Sequence, residues 1–189
     1  IRDRSVTIKP MRRSMILFLG FLNACAPDEP DSVDSQGWRK VQEFGAAVEI
    51  PRDGALRLEY SVTGGAAVFD ADGDGDLDIL LTGTGPKSPT TLWRQTNRLE
   101  FVDASEGAGF DASFFGIGAT AGDIDGDGDV DVLMTGRLGC QLYRNNGAGI
   151  FEPSTDFLAP KCSSSATFLD YDLDGDLDLF VCRYADISL

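Results

Sequence analysis

Aspartate recurs at alternate positions in three stretches of this chain. DADGDGDLD places Asp70, Asp72, Asp74, Asp76 and Asp78 in nine residues. DIDGDGDVD places Asp123, Asp125, Asp127, Asp129 and Asp131 in the same pattern. DYDLDGDLD does so with Asp170, Asp172, Asp174, Asp176 and Asp178. The sixth position is glycine each time, as Gly75, Gly128 and Gly175. Alternate side chains in a tight loop converge on one point, and glycine at position 6 permits the positive φ that closes the turn. Converging carboxylates repel one another unless a counter-charge sits among them. A hard divalent cation supplies it, taking about 6–8 oxygens at about 2.3–2.6 Å. Positions 1, 3, 5 and 9 offer carboxylates, and position 7 a backbone carbonyl. Calcium suits this flexible cage better than magnesium, so up to three Ca²⁺ are expected.

The opening of each loop is like that of an EF-hand, but the loop is not one. Position 12, where an EF-hand needs a bidentate glutamate, holds Leu81, Met134 and Val181. These apolar residues continue a strand, so the ninth aspartate must stand in for the twelfth ligand. The competing reading is an aspartate-rich turn held by Asx hydrogen bonds alone. Three copies with the same five aspartates and the same glycine favour the cation.

Charge points the same way. The 189-residue chain has 16 Lys+Arg, 31 Asp+Glu and a net charge of −15. Set aside the fifteen loop aspartates, and 16 acidic residues face 16 basic ones. The whole net charge therefore sits in the loops, and three divalent ions would offset six of those charges. Nucleic acid is excluded as a partner, since it requires a basic footprint. Histidine is absent, which removes histidine general-base chemistry and His-ligated zinc.

The elements that position these loops repeat with them. Loop starts are 53 and 47 residues apart, and Leu92-Trp93-Arg94 is echoed by Leu142-Tyr143-Arg144, as Phe101 is by Phe151. A period near 50 residues belongs to propellers or solenoids. Strand A of each unit is expected over 65–69, 117–122 and 165–169, with the small residues of an innermost strand. Strand B is expected over 77–83, 130–135 and 177–183, a continuous apolar run after the last aspartate and so buried on both faces. Strand C carries LWRQ and LYRN, and Asn146-Gly147 predicts a two-residue hairpin into strand D. Four antiparallel strands per unit make a propeller blade.

FDADGDGDLDILLTG, GDIDGDGDVDVLMTG, LDYDLDGDLDLFV and LYRNNGAGIFEP resemble the FG-GAP/VCBS repeats of integrin-α-type propellers. They are most similar to bacterial proteins related to cartilage acidic protein and the ASPIC/UnbV group. The resemblance covers about residues 60–189. It implies calcium in the loops and a seven-bladed extracellular module for adhesion or ligand binding. The expected fold is all-β: a partial propeller of about two and a half four-stranded blades, preceded by a signal-peptide helix. Closure takes about 4–8 blades, so the sequence is expected to be a fragment of a longer chain, with an open partial propeller as the alternative.

Upstream, Met11 and Met15 are candidate initiators, and MRRSMILFLGFLNAC pairs two arginines with a short apolar run. It resembles a bacterial lipoprotein signal with Cys25 as the lipidated residue. The expected domains are an anchor segment 1–25, a flexible linker 26–40 and the repeats 41–189. The chain is expected to be exported, as an envelope lipoprotein or a secreted protein, meeting a membrane only through that anchor. In an exported protein one disulfide among Cys140, Cys162 and Cys182 is expected, with the pair left open. A non-enzymatic module for a protein or carbohydrate ligand is the favoured function. The alternatives are the N-terminal part of a secreted hydrolase or lyase and a pure assembly piece. Trp38 and Trp93 are read as core residues rather than sugar-stacking platforms.

Overall fold

The computed structural model describes residues 64–155 and 163–183, all within one compact unit, 46–189. The leader, the linker, Cys25, Trp38 and Cys162 lie outside the described residues. Among the described residues there are ten strands and no helix, hence none long and apolar enough to cross a membrane.

The strands form three antiparallel sheets in chain order. The first joins β1 (Ala66–Phe69), β2 (Asp78–Leu81), β3 (Thr91–Asn97) and β4 (Glu100–Asp103). The second joins β5 (Gly116–Gly122), β6 (Asp131–Gly136), β7 (Gly139–Asn145) and β8 (Phe151–Pro153). The third pairs β9 (Ser163–Leu169) with β10 (Asp178–Arg183). Register repeats with sequence: Ile79 faces Trp93 and Leu80 faces Leu92, as Val132 faces Tyr143 and Leu133 faces Leu142. These are two complete blades and the inner half of a third, a partial β-propeller.

The inner strands β1, β5 and β9 are neighbours, and their small residues answer a steric demand. A Cβ at Gly65 would run into the Gly118 backbone, and one at Gly118 would lie 2.8 Å from Thr135 Oγ1 and 3.0 Å from Ser164 O. Between the first two blades, Phe69, Leu80, Leu92, Val132, Met134, Tyr143 and Phe151 form one core. Phe151 stacks on Phe110 (centroids 4.7 Å apart) and meets Phe69 edge-on at 6.1 Å. The Phe101/Phe151 echo thus marks strand D, β4 and β8, in each complete blade.

Two expectations change. Strands β2 and β6 are buried throughout, but β10 is largely exposed, with Phe180 at 64%. Each buried strand has partners on both edges; among the described residues β10 pairs with β9 alone. The hairpin after β7 is also longer than two residues, spanning 146–150. Asn146 closes it, accepting from Ala148 N (3.0 Å) and Ile150 N (3.4 Å) through its side-chain oxygen.

Candidate metal centre

Each loop is organised from its first aspartate. Asp70 accepts from Gly73 N at 2.8 Å and Gly75 N at 2.9 Å, one amide to each oxygen. Asp123 does the same with Gly126 N (2.8 Å) and Gly128 N (3.0 Å), and Asp170 with Asp174 N (3.1 Å) and Gly175 N (3.2 Å). The position-6 glycines have φ of 89°, 96° and 99°, with open space where a Cβ would stand for all three. Conformation, not crowding, demands glycine there.

Position 4 is also left-handed: Gly73 and Gly126 have φ of 74°, and Leu173 has φ of 63° in the third loop. Leu173 is 86% exposed and gains little by packing. Leu173→Asn is therefore expected to raise stability by about 0.5–1 kcal/mol, because asparagine tolerates this region and leucine does not. A denaturant midpoint that stays put or falls would refute the strain.

The ninth aspartate braces the loop against strand C. Asp78 accepts from Ala71 N and Gln95 N, both at 2.9 Å, and is 1% exposed. Asp131 accepts from Ile124 N at 3.2 Å and Asn145 N at 2.9 Å and is equally buried. Asp178 accepts from Tyr171 N at 2.8 Å but is exposed. At position 5, Asp74, Asp127 and Asp174 each accept from the amide two residues on, at 2.8, 2.9 and 3.0 Å. Those amides belong to the position-7 aspartates, Asp76, Asp129 and Asp176.

Within this scaffold, carboxylate oxygens converge. Those of Asp70, Asp72 and Asp78 lie within 4.8 Å of one another, as do those of Asp123, Asp125 and Asp127, and of Asp170, Asp172 and Asp178. In the first loop Asp72 Oδ1 is buried with no hydrogen-bond partner. A buried oxygen without a donor is costly, and a cation in the loop would satisfy it. All-oxygen donors suit a hard ion, and an oxygen that accepts one amide bond keeps a second lone pair. The residues present therefore fit calcium.

The FG-GAP-like repeat family model matches the chain twice, over residues 70–134 and 123–181. The chain belongs to the FG-GAP-like repeat family. Among curated proteins, none matches it.

Three polar residues of strand C add contacts that the motif does not announce: Arg94 and Asn145 tie the two complete FG-GAP-like blades together, and Arg144 stays within its own. Arg94 Nη1 lies 3.2 Å from Asp72 Oδ2, and its Nη2 donates to the Ala148 carbonyl in the next blade's hairpin. Arg144 pairs with Asp125 and Asp131 of its own loop. Asn145 Nδ2 donates to Val130 O (3.1 Å) and to Ala71 O in the preceding blade (2.9 Å). The fifty-residue echo of LWRQ in LYRN was the available signal. It announced a strand but not what its polar side chains reach.

Electrostatics distinguishes the aspartates. Burial pushes the Asp78 carboxyl up against the opposing amide bonds from Gln95 and Ala71, and the charges of Asp72 and Asp74 add to it. Desolvation, then the charges of Asp127, Asp123, Asp131 and Asp125, push Asp129 up. Asp111 is held down by the Ser113 amide and hydroxyl. For an acid raised in the fold, the stabilising contribution is complete below the unfolded pKa of about 3.9 and is lost as pH rises through the folded value. For Asp111 the contribution is lost only as pH falls below that range. Cation-stripped protein should therefore melt higher at about pH 5 than at about pH 8. Saturating calcium should reverse that order, because protons compete with the ion for the same oxygens. The same order with and without calcium would contradict this.

Cys140 and Cys182 carry free thiols, and every pairing among Cys140, Cys162 and Cys182 needs one of them, so the expected disulfide is not formed. Trp93 is half-buried in β3, its indole N–H donating to Thr91 Oγ1 at 3.1 Å. The core placement expected for it gives way to a half-buried one, since Leu92 is the β3 residue that enters the core.

Proposed function

We propose that the chain is a calcium-stabilised extracytoplasmic propeller module that binds a protein or carbohydrate ligand and is not itself an enzyme. The convergence of carboxylate oxygens within 4.8 Å in all three loops carries this reading. Calcium would be structural. It would be held by Asp70, Asp72 and Asp78, by Asp123, Asp125 and Asp127, and by Asp170, Asp172 and Asp178, with Asp74, Asp131, Asp174 and the carbonyls of Asp76, Asp129 and Asp176 available to complete the shells. Calcium in place would fix each A–B turn and leave the opposite loops and blade edges to meet a ligand.

The non-enzymatic reading rests on chemistry. Without histidine, the loop aspartates are the richest acid–base groups, and those at positions 1, 5 and 9 are engaged by backbone amides. The arginine-flanked apolar run ending at Cys25 supports export and a lipid anchor. Spellings such as GDIDGDGDVDVLMTG support a place near the cartilage acidic protein group of the family. A near-UV circular dichroism titration tests the ion: a saturable change with CaCl₂, not reproduced by KCl of equal ionic strength, is expected. No change in folded protein would overturn the reading.

A further inference from the structure

Arg94 and Arg144 occupy matching positions in β3 and β7, yet they treat their loops differently. Arg94 uses Nη1 on the outer oxygen of Asp72, at 3.2 Å, and Nη2 on the Ala148 carbonyl. With both nitrogens engaged, its guanidinium stays off Asp78, whose oxygens accept from the amides of Ala71 and Gln95. Arg144 Nη1 instead bridges two loop carboxylates, 3.0 Å from Asp125 Oδ2 and 2.8 Å from Asp131 Oδ2. The converging sets differ accordingly. In the first loop they are positions 1, 3 and 9; in the second, positions 1, 3 and 5, with Asp131 left out.

We propose that the strand-C arginine sets the cation affinity of the loop beside it, and that Arg144 is a resident counter-ion competing for Asp125 and Asp131. The inference rests on the calcium reading above. A guanidinium cannot escape by losing its proton. An ion entering the second loop must displace a charge-assisted hydrogen bond to Asp131 and an ion pair to Asp125, or accept a like charge beside it. In the first loop the Ala148 carbonyl holds Arg94 aside, leaving Asp78 and the inner oxygen of Asp72 to the ion. Two loops of nearly identical sequence thus become unequal sites, and in the first the hairpin of the following blade holds the arginine in place.

The test is calorimetric titration of the full chain with CaCl₂, comparing wild type, R144Q, R144K and R94Q. D123N identifies the second-loop site and D70N the first. In wild type the site lost in D123N should be weaker than the site lost in D70N. R144Q should tighten it by about tenfold or more, the scale of one charged hydrogen bond removed. R144K, which keeps the charge but loses the planar fork, should fall between; it carries the test if R144Q does not fold. R94Q, which frees one loop carboxylate rather than two, should tighten the first site less than R144Q tightens the second. A second-loop affinity that is unmoved or weakened in R144Q, while the other loops still bind, would overturn the proposal alone. No calcium binding at any loop of folded wild type would overturn the underlying reading and the proposal with it.

Discussion

Stripping calcium is expected to lower the thermal midpoint of this protein by about 20 °C or more. An ion that binds only the folded state adds about 2.7 kcal/mol per site at a hundredfold excess over its Kd, so three loops contribute about 8 kcal/mol. Whole domains rest on about 5–15 kcal/mol, which leaves the cation-free chain near the edge of unfolding. The physical source is the charge distribution. The fifteen loop aspartates carry the entire net charge of −15, in turns whose own amides already engage positions 1 and 5. Calorimetry in millimolar CaCl₂ and after chelation checks this, and coincident melts would contradict it. Magnesium should restore only part of the shift, since it demands near-octahedral geometry and holds its water.

The second large effect is expected at Asp78. Its side chain is buried, and it holds the amide of Ala71 in the loop and that of Gln95 in strand C. Asp78→Ala leaves both amides without that acceptor. At about 1–3 kcal/mol for each, the loss is about 2–6 kcal/mol even without calcium. Asp76→Ala, two residues away, is the control. Asp76 is exposed, its amide bond to Asp74 survives the change, and its carbonyl stays available to an ion. Stability should move by no more than about 0.5 kcal/mol, the usual range for surface substitutions. Chemical denaturation of both variants with calcium removed separates the brace from the ligand. Equal losses at the two positions would show that the five aspartates are interchangeable, contrary to the geometry.

Much of this was legible before any coordinates. Strands A to D follow from local cues: small residues before the loop, an unbroken apolar run after it, an aromatic echo further on. Leu81 and Met134 are buried strand residues at position 12, as the departure from the EF-hand required. The strain at Leu173 was also written in the sequence, where DYDLDGD puts leucine at the position DADGDGD and DIDGDGD give to glycine. What could not be read was contact between blades. Nothing in LWRQ and LYRN says that one arginine reaches a carbonyl fifty-four residues on, while its counterpart folds onto Asp131. Those choices depend on how neighbouring blades stand, and spacing does not encode that. The exposure of β10 was hidden for the same reason: an apolar run announces burial, but only a partner strand and a covering blade provide it.

An ion in each loop is the central expectation. Anomalous diffraction from crystals grown in calcium locates such ions directly. The expected result is three peaks per chain, each about 2.3–2.6 Å from carboxylate oxygens at positions 1 and 3 of a loop: Asp70 and Asp72, Asp123 and Asp125, Asp170 and Asp172. Loops without peaks, still folded on their own amide bonds in saturating calcium, would show these to be aspartate turns and contradict the account.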